Sequence, residues 1–434
     1  MLIRRAVLLD GTPTDIRVDE RIVEVGDGLA PRVGESEYDA AGGTVLPGLH
    51  DHHLHVRAAA AALQSVRVGP DEVAGRAQLA RVLAGAAVGE DGWIRAVGYH
   101  ESVAGPLDRG VLDEVCPAVP VRIQHRSGVL WTLNSPALTR IGLADHPDGR
   151  LRSADAGWSS MLPRSEPGLA PLGALLCGYG VTGVTDATPD LADHDIRHLR
   201  DARGRGELPQ SLHWLAPGKR ILHDDDLDLD ALTAWVRDRH AAGGPVAVHC
   251  VTAAQLVVAL EALRSAGPHP MDRIEHAAVV PDGSLADLAA SAVTVVTQPN
   301  FVAERGEQYL VDVPAAEHGE LWRVGSLRRN GIAVALSTDA PFGDADPWAA
   351  MRAAVHRSTA AGSVLGPAER VSPAEALEMF LGEPGRPAVP RRIGPGHRAD
   401  LCVLSGPPAQ VLGELDAGMV AATVIGGEVV FERR

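Results

Sequence analysis

Pro47-Gly48-Leu49-His50-Asp51-His52-His53-Leu54-His55 is the stretch on which the fold of this 434-residue chain turns. Within it Asp51, His53 and His55 stand two apart. On a β-strand residues i and i+2 share a face, so His53 and His55 would aim two imidazoles at one point. The apolar Val45-Leu46 before them suits a strand running into a site at its C-terminal end. Paired imidazoles are a common start of a zinc site. A histidine-rich surface loop would read the same way in isolation, because His50 and His52 crowd the segment.

Length and composition narrow the field. The chain is too long for one ordinary domain and suits a (β/α)8 barrel with a smaller appendage. Apolar residues make up 45% and charged residues 22%, which allows a large core and argues against disorder. Forty basic against 56 acidic residues leave a net charge of −16. With no basic run, nucleic acid and anionic membranes are not expected as partners. Cys116, Cys177, Cys250 and Cys402 lie far apart with no C-x-x-C pair, which reads as reduced thiols in a cytoplasmic protein. The apolar run after Arg4-Arg5 is too short for a signal peptide. No apolar run reaches the roughly 18 to 20 residues of a membrane span; Leu169 to Val184 comes nearest and is broken by Pro171 and glycines. Only one of the 40 basic residues is a lysine, Lys219. Its place in the chain therefore matters.

Both ends read as short strands and turns, with Asp15 to Val25 near the start and a Gly426-Gly427 hairpin signal near the end. Neither could form a stable sheet alone, so residues 1–49 and 394–434 are expected to make one composite β-domain, a small sandwich. Residues 50–393 alternate apolar strands with helical stretches, the rhythm of a parallel sheet. Candidate strands are 50–56, 120–125, 183–187, 213–221, 246–250, 273–279, 293–298 and 332–339, which makes eight. Asp346-Pro347 and Ser372-Pro373-Ala374-Glu375 open two helices with capping signals. The gap at 57–119 is too long for a plain connection and is expected to be an inserted α/β subdomain. The expected fold class is α/β: a TIM barrel, a terminal β-sandwich and this insertion.

Barrel enzymes build their sites at the C-terminal ends of strands. The first candidate strand ends in His53 and His55, the fourth in Ala216-Pro217-Gly218-Lys219, the fifth in His249 and the sixth in His276. The eighth ends in Asp339. Any one could be structural. Four histidines, a lysine and an aspartate on five strand ends, in order, are harder to assign to chance.

In these motifs the chain resembles the amidohydrolase superfamily of metal-dependent hydrolases. Within it the likeness is to amidohydrolase family 3, the YtcJ-like proteins that include N-substituted formamide deformylases. It runs from PGLHDHHLH through VAVHC, DRIEHA and STDAPF to GPGHRADLCVL. The resemblance implies two divalent metal ions, zinc first on ligand chemistry. His53 and His55 would hold the more buried ion, His249 and His276 the more exposed one, and Asp339 the buried ion. Lys219 matches a lysine that is carboxylated and bridges both ions; a plain ammonium has no acceptor and cannot ligate. The implied activity is hydrolysis of a C–N bond (amide, N-substituted formamide or cyclic amide) by a metal-activated hydroxide. Asp339 would act as general acid/base. A carbamate or ester hydrolase using the same site is the alternative, and a non-catalytic binding protein a third reading. The expected partner is a small-molecule substrate, and a homodimer is an open expectation.

Substrate contacts are expected from His100, Glu101, His125, Arg126, Trp131, Asn134, Gln298 and Asn300, which lie at strand ends or in the insertion. Asp51 is expected to support the site, with Thr185 and Asp186 orienting ligands. Arg273 and Glu275 are expected to pair around His276. Asp224-Asp225-Asp226 imitates a metal motif but suits a helix start.

Overall fold

The computed structural model describes residues 1–116, 118–152, 157–162 and 166–433. It is a mixed α/β chain in two compact units, one of residues 1–55 with 172–434 and the other of residues 56–171.

In the first unit the described residues form eight parallel strands in two sheets. They are β1 (Leu49–Leu54), β2 (Val181–Asp186), β3 (Ser211–Trp214), β4 (Lys219–Ile221), β5 (Ala247–Cys250), β6 (Arg273–His276), β7 (Thr294–Thr297) and β8 (Ala333–Leu336). One sheet has the order β3-β2-β1 and the other β4-β5-β6-β7-β8. Every residue of β1 and β2 is buried, as expected where a parallel sheet is covered on both faces. Two hydrogen bonds tie β1 to the end of β8: Asp339 N–H donates to His53 O (2.9 Å), and His55 N–H to Ala340 O (2.8 Å).

The strand count agrees with the sequence reading, but its membership does not. The single strand expected over 213–221 is two strands, because Pro217 has no N–H for a ladder and Leu215–Gly218 closes a turn through Gly218 N–H to Leu215 O (2.7 Å). Lys219 therefore opens β4 and does not end it. The strand expected in the barrel at 120–125 pairs elsewhere. Val121–His125 lies in the second unit, at the centre of a five-stranded sheet, parallel to Ile94–Tyr99 and antiparallel to Leu130–Leu133. A second apolar strand five residues downstream offers a local antiparallel partner, and the pairing follows. The compact second unit thus runs to Pro171, further than the 57–119 insertion read from the gap.

Terminal segments build two four-stranded sheets. One has the order Ile22–Gly26, Pro13–Val18, Leu2–Val7, Glu37–Asp39; the other Glu428–Glu432, Val420–Ile425, Leu401–Leu404, Val45–Pro47. Their buried residues, including Ile3, Ile16, Leu401 and Val424, form one apolar cluster. Gly426 and Gly427 turn the last hairpin with φ of 58° and 83°, which suits glycine. A Cβ on Gly427 would lie 2.1 Å from Asp19 O.

Helix ends follow the capping chemistry. Ser372 and Glu375 form a reciprocal capping box on Pro373–Glu378, and Asp346 caps Pro347–His356. Asp224–Asp226 is a short 3-10 turn, and the helix Leu229–Ala241 starts later, capped by Asp228. Asp224 instead accepts from Thr252 Oγ1 (2.7 Å) and Gln255 Nε2 (3.0 Å).

Candidate metal centre

His53 lies on β1 with its imidazole fully buried. Its Nδ1 bonds to Glu275 Oε2 on β6 in a very short contact. Arg273 grips the same carboxylate, Nε to Oε1 at 2.7 Å and Nη2 to Oε2 at 3.1 Å, and also donates to His52 O at 2.7 Å. With the Nδ1 proton held by a carboxylate, the His53 Nε2 lone pair is left facing inward. Metal-binding histidines are commonly oriented in this way.

Around that Nε2 the other candidates gather. Lys219 Nζ lies 3.1 Å away and Asp339 Oδ1 3.5 Å away. His55 Nε2 is 3.6 Å from the same oxygen, and His276 Nδ1 is 4.0 Å from Oδ2. The His249 and His276 rings are 4.4 Å apart between centroids, and those of His53 and His276 4.7 Å. His53, His55 and Asp339 can present one donor atom each within 4.8 Å of one another. Among the described residues, Asp339 Oδ1 is buried with no hydrogen-bond partner. A buried carboxylate oxygen without a donor is costly, and a cation at this point would satisfy it. The donor set, imidazole nitrogens with carboxylate oxygen, fits a zinc-class ion.

The backbone is shaped to hold this cluster. Asp339 and His276 adopt φ of 56° and 70°, a region non-glycine residues rarely occupy and in which strain concentrates at functional sites. Asp51 accepts from His53 N–H and Thr338 N–H, each at 3.2 Å, and from the Thr338 hydroxyl in a very short bond. It thus supports the residue beside Asp339. Asp186 accepts from Thr188 N–H (2.8 Å), and the Thr188 hydroxyl lies 3.4 Å from His55 Nδ1. Thr185 bonds His50 Nε2 at 2.8 Å.

Burial governs the protonation of the metal-free cluster. It holds His53, His55 and His276 well below the ordinary imidazole value and His249 at about 3, with Lys219 adding to the depression at His53, His55 and His249. At neutral pH these imidazoles are uncharged and each keeps one nitrogen lone pair. Burial also lifts Asp339 to about 7 against the opposing pull of Lys219, and lowers Lys219 to about 8. A cation held by Asp339 would have to displace its proton below about pH 7, so affinity should rise with pH by up to about tenfold per unit through that range. Calorimetric titration in two buffers of different ionisation enthalpy reads the released proton. An affinity independent of pH over that range would remove Asp339 from the ligand set.

Gln298 and Asn300, expected as substrate contacts, are engaged within the protein. Gln298 Oε1 accepts from His276 Nδ1 (2.8 Å), and its Nε2 donates to Ser337 Oγ (2.8 Å). Asn300 Nδ2 donates to Glu304 Oε1 (3.0 Å) and Thr338 O (3.1 Å). The remaining six lie in the second unit. Asn134 is a helix cap: it accepts from Val121 N–H (2.9 Å) and Ala137 N–H (3.1 Å) and donates to Cys116 O and Val119 O. No hydrogen-bonding capacity is left for a substrate. Trp131 is buried against Trp158, with the guanidinium of Arg95 5.3 Å from its ring centre. His100, Glu101 and His125 cluster, with His125 Nε2 3.0 Å from Glu101 Oε2, and Arg126 follows on the turn.

Glu275 is the site residue the sequence reading misplaced. It pairs with Arg273 as expected, but its contact is with His53 and not His276. The available signal was strand alternation: Arg273 and Glu275 share a face of β6, opposite to His276.

The family model for the amidohydrolase family matches residues 36–226 and 179–431 of this chain. An N-substituted formamide deformylase of Arthrobacter pascens is 25% identical over 488 aligned positions, covering 91% of this chain and 90% of that protein. An uncharacterized metal-dependent hydrolase of Pyrococcus furiosus superposes with a TM-score of 0.71 at 19% identity, covering 94% of this chain and 99% of the other. One from Pyrococcus horikoshii OT3 gives 0.75 at 18% identity, covering 96% and 99%. The structural likenesses speak to the fold; the family match spans nearly the whole chain, which belongs to the amidohydrolase family and is a hydrolase acting on carbon–nitrogen bonds.

Proposed function

We propose that this chain hydrolyses an N-substituted formamide or a related amide or cyclic amide, using a binuclear centre held by His53, His55, Lys219, His249, His276 and Asp339. The observation that carries the reading is the unpartnered Asp339 Oδ1, buried within 3.6 Å of the inward-facing nitrogens of both His53 and His55. The deformylase relative supports the substrate class. We further read the two parallel sheets as parts of one (β/α)8 barrel, and residues 1–49 with 394–434 as its β-domain.

Bound there, divalent ions, zinc first, would polarise the substrate carbonyl and acidify a water. The protein's own residues do the rest. Glu275 and Gln298 orient His53 and His276 through their Nδ1 atoms. Asp339, with a carboxyl at about 7 in the metal-free chain, takes a proton as the carbonyl is attacked and delivers it to the departing nitrogen. Protonation there prevents expulsion of an amide anion. Burial brings Lys219 to about 8, so a neutral amine is accessible. That amine can add to carbon dioxide, forming an N–C bond and releasing a proton, and the resulting carbamate supplies the acceptor oxygens a lysine lacks.

A panel of N-formyl, N-acyl, cyclic-amide, carbamate and ester substrates tests the reading. Turnover should be highest on formamides or other amides, and a preference for carbamate or ester bonds would overturn it. Elemental analysis should return about two divalent ions per chain. Lys219→Ala should reduce this to one or fewer and lower kcat by at least about a hundredfold, the scale on which a misplaced reacting group slows chemistry. Two retained ions with normal turnover would exclude the lysine bridge.

A further inference from the structure

A cavity of about 250 Å³ opens where the terminal segments meet the N-terminal ends of β1 and β3. His50 of β1 and Ser211 of β3 line it together with Arg21, Arg391, Arg392 and Arg398. His50 is three residues before His53, roughly 10 Å along a strand, so the cavity is separate from the metal centre. We propose that it is a binding site for a small phosphate, free or as a monoester.

The charge balance of the cavity carries the proposal. The chain as a whole is acidic, at −16, yet this wall is cationic. Its two carboxylates are already engaged: Asp400 with Arg398 at 2.8 Å, and Glu383 with Arg386 at 2.6 Å. Arg391 is largely enclosed and bonds only backbone carbonyls, Leu381 O at 3.2 Å, Gly382 O at 3.1 Å and Gly48 O in a very short contact. Burial lowers its guanidinium to about 10, against the opposing pull of Asp400 and Glu383 nearby. Enclosed charges are normally paired, and among the described residues Arg391 has no carboxylate in contact. Nor do Arg21, which donates to Gly396 O (2.7 Å), and Arg392.

A neutral donor set completes the wall. His50 Nε2 is bonded to Thr185, while its Nδ1 is buried without a hydrogen-bond partner among the described residues. A Cβ on Gly183 would stand 2.5 Å from both that nitrogen and Ser211 Oγ, so glycine lets the two side chains pack side by side, with Ser211 Oγ donating to Thr182 O (3.3 Å). Three guanidiniums with no carboxylate in contact among the described residues suit a ligand with more than one negative charge. Donors converging from two chain ends and two strands suit a tetrahedral anion, with three free oxygens as a monoester or four as inorganic phosphate, better than a planar carboxylate with two.

The test is calorimetric titration of the metal-loaded protein with inorganic phosphate, with glycerol phosphate and with succinate, at fixed ionic strength. Phosphate is expected to bind in the millimolar range or tighter and succinate at least tenfold more weakly. Tighter binding of glycerol phosphate would identify an ester, and equal or weaker binding the free anion. The double variant Arg21→Gln/Arg392→Gln, both at exposed positions, should weaken phosphate at least tenfold while formamide turnover is unchanged. Phosphate binding that survives in the double variant belongs to the metal centre and overturns the proposal. Equal affinity for succinate, or no heat from any anion, overturns it as well.

Discussion

Asp339→Asn should lower kcat/KM by about 10²–10⁴-fold, the range supplied by a positioned acid–base group. The substitution keeps the shape of the side chain and the backbone bond from residue 339 N–H to His53 O. It removes the ability to accept a proton and return it. Asp339 lies within 4.0 Å of His53, His55 and His276, so under the proposed ligand set the variant would also lose one charged ligand. Metal content must therefore be measured beside turnover, under saturating metal. The informative outcome is a metal-loaded variant in which kcat and kcat/KM fall together, since an interaction made only in the transition state lowers both. Unimpaired hydrolysis by that variant would take Asp339 out of the proton transfer.

Glu275→Ala should destabilise the protein by about 3–5 kcal/mol, the cost of removing one partner from a buried ion pair. Glu275 is completely enclosed and receives two bonds from Arg273 and one from His53 Nδ1. Its loss strands a guanidinium in the interior and frees the His53 tautomer. Glu275→Gln keeps the volume and one acceptor, and should cost less stability. Its mark should be on metal affinity, where loss of such an outer partner commonly costs 10- to 100-fold. Denaturant unfolding separates the two effects when run with and without metal. Arg273→Ala/Glu275→Ala together should be less destabilising than the sum of the single changes, since neither charge is then left alone. Additive losses would show that the pair is not coupled, and unchanged metal affinity in Glu275→Gln would remove its orienting role.

Local patterns in the sequence predicted the elements well where chemistry acts at short range. Caps at Ser372 and Asp346 and the glycine hairpin at 426–427 formed where their residues called for them, because each depends on neighbours within a few positions. Partition of strands was less legible. Val121–His125 has the periodicity of a barrel strand, and periodicity does not say which sheet a strand joins. Its nearest apolar neighbour, Leu130–Leu133, claims it instead. Asn134 has the residue type of a substrate contact but is consumed by capping, which becomes visible only once the backbone of Cys116, Val119 and Val121 is placed beside it.

For the nonapeptide Pro47–His55, the sequence alone determined that imidazoles two apart would share a face of a strand, together with the family to which the chain belongs. Both follow from local geometry and contiguous motifs. Only the tertiary structure decided which atoms meet. Glu275 lies 222 positions from His53 along the chain, and Lys219 reaches the same imidazole from the start of its strand. An aspartate oxygen is left without a donor between two histidines because β1 and the end of β8 are bonded side by side. Contacts between distant residues are set by the packing of strands, and strand order is not written in any one strand.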